Sequence, residues 1–280
     1  MESKCKLALI NTVQNIKNRI ISIRFVTLGL MLCFIFDLYL RDFRANVRLM
    51  EIKANVAVLP FLQSKNYFMK IVFLGIVYFY SNVPFMEREQ LFVLARLGKK
   101  RWGRRNLSYI VGSGLILTLL LALISIVGVL PVGRFSLSWD AAYKTLALTA
   151  GENMSFFINY HIMKNFEPLP LFMLIILIDW MVITIFGMFM YAVSLLGYRT
   201  IACIAGMLLV FFPSIDKWVP VSLAYFSPIS WLDCENWRMG FDSTKPDIVY
   251  ILVAGMFSIF ILTVICQAGI RKVEWKAADE

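Results

Sequence analysis

Two acids and one basic run are the residues of this chain whose types and placement could do chemistry. Asp179 falls near the middle of the apolar run Leu171–Leu195, and Asp37 near the end of the run Phe25–Leu40. A carboxylate inside a membrane helix is costly and usually faces a bundle interior or a wet cavity. Asp179 therefore reads as a group on a substrate path or in an ion pair. Its plainer reading is a hydrogen bond between helices, or an acid neutralised by protonation. Asp37 can reach the interface beside Arg41. The basic run is Glu87-Arg88-Glu89-Gln90-Leu91-Phe92-Val93-Leu94-Ala95-Arg96-Leu97-Gly98-Lys99-Lys100-Arg101-Trp102-Gly103-Arg104-Arg105, with seven Lys/Arg against two acids. Inside it Leu91, Leu94 and Ala95, or Gln90, Leu94 and Leu97, share one side of a helix. Gly98 would end that helix and place Lys99-Lys100-Arg101 near its C-terminal dipole. A short amphipathic helix between two membrane helices can transmit motion from a soluble partner. It can equally be a charged anchor that only sets topology.

Other chemistry lacks its residues. His161 is the one histidine, and the spacing HExxH does not occur, which excludes that class of zinc protease. No GxSxG turn is present. No GxxxxGK[ST] loop is present, so the chain has no phosphate loop with which to hydrolyse a nucleotide itself. His161 reads as a solvated loop residue. Gly112-Ser113-Gly114 and the pair Ala202/Gly206 read as helix-packing sites. Five cysteines without a CxxC pair support neither a disulfide framework nor a thiolate metal site.

The elements that must position these groups are membrane helices. The chain has 280 residues, 60% apolar and 16% charged, against about 45–50% and about 25% in soluble domains. Too few charges remain to cover a soluble globule, and the start of the chain is not a cleavable signal peptide. The net charge of +10 then reads as a topology signal and a match for anionic lipids. No soluble basic face with interleaved aromatics exists for nucleic acid. The expected fold is all-α, one polytopic membrane domain over 1–280. Six spans are expected: Phe25–Leu40, Phe68–Phe85, Leu107–Leu130, Leu171–Leu195, Ile201–Phe212 and Ile248–Ile270, the first and fifth short of the ~20 residues a span needs.

Charge bias fixes the expected orientation. The loop 86–106 belongs in the cytoplasm, which puts both termini there too. Residues 41–66 then lie outside despite five basic residues, and 213–247 lie outside with three basic and five acidic. Residues 1–24 hold an interfacial helix, with Leu7, Ile10, Val13, Ile16 and Ile20 at helical spacing. The segment 213–247, rich in Trp and Tyr and broken by Pro213, Pro220 and Pro228, is expected to form two short re-entrant helices before the last span.

The run Tyr80-Ser81-Asn82-Val83-Pro84-Phe85, continuing through Arg96-Leu97-Gly98-Lys99-Lys100-Arg101-Trp102, resembles permease subunits of ABC-2-type exporters from Gram-positive bacteria. Those read S-D-x-P-F … R-x-G-R-x-x-W between their second and third membrane helices. Asn82 stands here in place of the usual Asp. The motif covers about 25 residues, and the architecture expected above extends the likeness over most of the chain. The resemblance implies a coupling loop at 86–106 that docks on a separate ATP-binding subunit. Glu87, Arg88, Arg96, Lys99, Lys100, Arg101 and Trp102 would form or flank that contact. It implies no cofactor in this chain, since ATP and Mg would be held by the partner. It implies a second permease, identical or related, completing the pathway. The expected role is a transport subunit in the cell membrane, not an enzyme, exporting a peptide, an antimicrobial or a lipid-like substrate. The rival reading is a channel, or an accessory or sensor membrane protein, without ATPase coupling.

Overall fold

The computed structural model of the chain describes residues 22–85, 98–149, 154–214, 223–238 and 244–272. Their helices are α1 (Ile23–Leu49), α2 (Leu59–Gln63), α3 (Asn66–Tyr80), α4 (Lys99–Val129), α5 (Ala141–Leu148), α6 (Tyr160–Asn165), α7 (Pro168–Ser194), α8 (Arg199–Phe211) and α9 (Ile248–Lys272). A two-residue parallel bridge joins β1 (Ala54–Asn55) to β2 (Gly133–Arg134). The described chain is all-α apart from that bridge.

Four helices, α1, α4, α7 and α9, are long and apolar enough to cross a membrane. The expectation of six spans is corrected here. α3 has 15 residues and α8 has 13, about 22 and 20 Å at 1.5 Å per residue. A hydrocarbon core is about 30 Å thick. Tyr198-Arg199 and Pro213 bracket the apolar run of α8, and Ser64-Lys65 break the helix before α3. Sequence hydropathy registered these runs without registering how short their helical parts are. The long helices also outrun their apolar runs. α1 continues past Leu40 to Leu49, and α4 starts at Lys99, eight residues before Leu107. Charged residues end a membrane span without ending a helix.

α7 is the central helix. Its two prolines stand in the first turn, where a missing N–H costs nothing, and the rest is apolar and mostly buried. Small residues let neighbours approach it closely, as membrane packing requires. A Cβ on Gly114 of α4 would stand 2.9 Å from Thr184 Oγ1, and one on Gly187 would stand 2.6 Å from Ile110 Cγ2. Gly206 of α8 packs on Met190, and Gly255 of α9 packs on Met181. The expected packing roles of Gly114 and Gly206 hold. The outward faces are apolar stripes: Leu30, Phe34 and Leu38 on α1, Leu115, Leu119 and Leu123 on α4, and Val253, Phe257 and Phe260 on α9 are all exposed. In water such stripes would be untenable, and in lipid they are the solvent-facing side.

One end of the bundle carries a folded layer. Trp139, Tyr143, Phe61, Phe43 and Phe156 stack there with centroids 5.1–5.8 Å apart. Tyr143 donates to the Asn55 carbonyl at 2.9 Å, and Asn55 Nδ2 donates to the Ser136 carbonyl at 2.7 Å. Residues 41–66 are therefore no simple loop. In 213–247, the described residues form three 3-10 turns, Leu223–Tyr225, Ile229–Leu232 and Cys234–Asn236, where two short helices were expected. The interfacial helix expected in 1–24 lies outside the described residues, save its last three.

Candidate functional site

Two places in the fold bring the expected residues together. The first surrounds Asp179. It lies in the twelfth position of α7, fully buried, about 16 Å along the helix from Pro168 at 1.5 Å per residue. Gln63, the last residue of α2, donates its Nε2 to both carboxylate oxygens at 2.9 and 2.8 Å. So the folded end layer sinks between the helices as far as the middle of α7. Gln63 is itself 2% exposed, and its Oε1 has no partner among the described residues. Gln63 also forms part of the wall of a polar cavity of about 220 Å³, with Ser64, Asn66, Ser230, Asp233 and Asn236. The arrangement is a buried carboxylate joined through one amide to a polar cavity. Nothing in the sequence marked Gln63, because it lies 116 residues away in an unremarkable segment.

Asp233 caps the turn Cys234–Asn236, accepting from the Glu235 backbone N–H at 2.9 Å and from Asn236 Nδ2 at 3.1 Å. Burial pushes its carboxyl up to about 7. The Glu235 charge adds to that rise, while the Glu235 N–H, Ser64 and Lys245 oppose it. Burial pushes the adjacent Cys234 thiol well above its ordinary value too, with the Asp233 carboxylate adding to the effect. A thiol so held is protonated and is a poor nucleophile or ligand. Among the described residues no three His, Cys, Asp or Glu side chains cluster where a metal ion could sit.

Asp37, expected to reach the interface beside Arg41, pairs with Arg44. Arg44 also donates to the Gly128 carbonyl at 3.4 Å, which ties α1 to the end of α4. His161 is exposed at the start of α6.

The second place is the opposite end of the bundle. Glu87, Arg88 and Arg96 lie outside the described residues. Lys99, Lys100, Arg101 and Trp102 form the first turn of α4. Gly98, at φ 75°, precedes the start of α4, and the three cations stand at that N-terminus with no acid in its first turn; the helix expected to end at Gly98 lies outside the described residues. Cations are disfavoured there by about 0.3–1 kcal/mol each, so an outside anion is needed to offset them. Lys99, Lys100 and Arg101 are exposed, while Trp102 is fully buried.

Trp102 packs on Tyr191 of α7 with centroids 6.5 Å apart. Phe85 stacks on the same Tyr191 at 6.4 Å and meets Tyr109 edge-on at 5.0 Å. Asn106 Nδ2 donates to the Tyr191 hydroxyl at 3.4 Å. Two arginines grip the residues just before Phe85. Arg24 donates to Ser81 Oγ at 2.9 Å, and Arg199 donates to the Ser81 carbonyl at 2.8 Å and to Asn82 Oδ1 at 2.6 Å. Asn82 thus serves as an acceptor through its side-chain oxygen. Both flanks of the basic segment are fixed to the end of α7. The other described charges at this end, Arg104, Arg105, Arg271 and Lys272, are also basic.

No family model, curated protein or solved structure matches this chain.

Proposed function

We propose that this chain is the membrane-spanning permease subunit of an ATP-driven transporter of the ABC-2 type. It exports a peptide, an antimicrobial or a lipid-like substrate, with ATP and Mg bound by a separate subunit. A second permease, identical or related, completes the pathway. The observation that carries this reading is the double anchoring on Tyr191. A segment held at Phe85 and again at Trp102 cannot be displaced without moving α4 and α7. That is what a coupling element requires, and an inert topology anchor does not. Glu87, Arg88, Arg96, Lys99, Lys100 and Arg101 then form or flank the contact with the ATP-binding subunit, and Trp102 holds the segment to the bundle.

The rest of the reading follows from the same end. Its described charges are all basic, which favours a cytoplasmic position for it and for both termini. The turns 229–237 sink beside α7 and α9 in the manner of a re-entrant segment. ATP-driven closure of the partner would shift α7, and with it Asp179 and the cavity that Gln63 closes.

The test is co-purification of the chain with any ATP-binding subunit found encoded beside it. Arg96→Glu with Arg101→Glu is expected to abolish that association. Phe85→Ala with Trp102→Ala is expected to keep the association and lose transport. A chain that binds no ATPase, or that transports unchanged with Arg96 and Arg101 reversed in charge, sinks the proposal and leaves the channel or accessory reading.

A further inference from the structure

Where the start of α4 meets the end of α9, Gly103 allows close approach: a Cβ there would stand 2.2 Å from Ile270 Cδ1. This contact opens a notch of about 210 Å³ beside it, lined by Lys100, Arg104, Gln267, Ile270 and Arg271. Lys100 and Arg104 are one turn apart on one helix, a like-charge spacing that destabilises a helix. Arg271 adds a third cation from the facing helix. The positive end of α4 adds to the same field. No described carboxylate forms an ion pair with any of the three; the ion pairs among the described residues are Asp37–Arg44 and Asp140–Arg134. Three cations gathered at one notch, with an amide donor and an apolar floor, are complementary to a phosphate that carries an apolar tail.

We propose that this notch binds the phosphate of an anionic lipid headgroup, with Lys100, Arg104 and Arg271 around the phosphate oxygens and Gln267 donating to it. Its acyl chains run down the groove between α4 and α9, whose outward faces are apolar. The notch lies at a bundle end whose described charges are all basic, where a lipid phosphate belongs. The inference stands on the notch alone and holds whether or not an ATPase binds nearby. Bound lipid would clamp α4 to α9 and so set how freely the start of α4 moves.

The test is native mass spectrometry of the full chain in detergent, titrated with phosphatidylglycerol and in parallel with phosphatidylcholine and inorganic phosphate. One tightly held phosphatidylglycerol is expected, with phosphatidylcholine much weaker. Lys100→Gln, Arg104→Gln and Arg271→Gln are each expected to weaken it about fivefold, the worth of one cation at an anionic surface. Arg271→Lys, which keeps the charge, is expected to weaken it less and serves as the folded control. Equal binding of the two lipids overturns the proposal. So does a triple Gln variant that holds phosphatidylglycerol as well as the parent chain. Displacement of the lipid by millimolar inorganic phosphate would assign the notch to a free anion and overturn the lipid source. Binding seen only after removal of residues 273–280, which carry Glu274, Asp279 and Glu280, would give the notch to the chain's own tail.

Discussion

Replacing Gln63 by Leu isolates the contact that holds the layered end against the centre of the bundle. The amide donates to both carboxylate oxygens of Asp179, at 2.9 and 2.8 Å. Hydrogen bonds to a charged acceptor contribute about 1.5–3 kcal/mol each, and stripping the partner from a buried charge costs about 3–5 kcal/mol. One Nε2 shared between two oxygens is worth less than two separate donors, and protonation of Asp179 would cap the cost. About 3 kcal/mol is therefore expected for Gln63→Leu. Asp179→Asn behaves differently. Its Oδ1 still accepts from Gln63, and its new N–H can donate to Gln63 Oε1, which has no partner among the described residues. Its stability is expected within about 1 kcal/mol of the parent, while transport falls if the charge serves the pathway. The pair Gln63→Leu with Asp179→Leu removes both polar groups and is expected to recover most of the loss, giving a coupling energy of about 2 kcal/mol. The assay is reversible unfolding in mixed micelles for the parent, Gln63→Leu, Asp179→Leu, their pair and Asp179→Asn, beside transport by Asp179→Asn. A Gln63→Leu chain that unfolds within about 0.5 kcal/mol of the parent refutes the reasoning on stability. Undiminished transport by Asp179→Asn refutes a pathway role for the charge.

Asp233 predicts a pH dependence. Its carboxyl is raised to about 7 by burial, so the folded chain holds that proton more tightly than the unfolded chain does. Stability from this group is complete below its ordinary value of 3.8 and is lost as pH rises towards 7. Unfolding followed from pH 5 to 8 is expected to show that decline, and Asp233→Asn to flatten it. Gly187→Val should cost about 2–3 kcal/mol by overpacking, because its Cβ would meet Ile110 at 2.6 Å and Tyr80 at 2.9 Å; a thermal scan in detergent checks it. Asn82→Asp gives Arg199 a charged acceptor where it now has an amide at 2.6 Å. A gain of about 0.5–1 kcal/mol is expected for this exposed pair, shrinking in 1 M salt; an unchanged denaturation midpoint at low salt would count against the contact.

Membrane residence, the helical class and the cost of Asp179 were legible in the sequence because each rests on local quantities. These are the length of an apolar run, the count of charges and the presence of an acid where water is absent. Gly114 and Gly206 were legible as packing sites for the same reason: small residues on a membrane helix have few other uses. Helix ends were not. Hydropathy marks where the bilayer stops, and α1 and α4 continue as helices beyond it, while α3 and α8 stop short of spanning it. That Lys99-Lys100-Arg101 begin α4 was not legible, because Gly98 suits either side of a helix boundary.

What only the tertiary structure decided are the pairings between distant segments. Gln63 meets Asp179 across 116 residues, and Arg199 meets Asn82 across 117. No periodicity encodes such partners, because they depend on which helices α7 gathers around itself. Phe85 and Trp102 were visible as two aromatics of a short motif. That both rest on Tyr191 follows from the packing of α4 on α7, and the proposed lever role of the basic segment rests on that shared support.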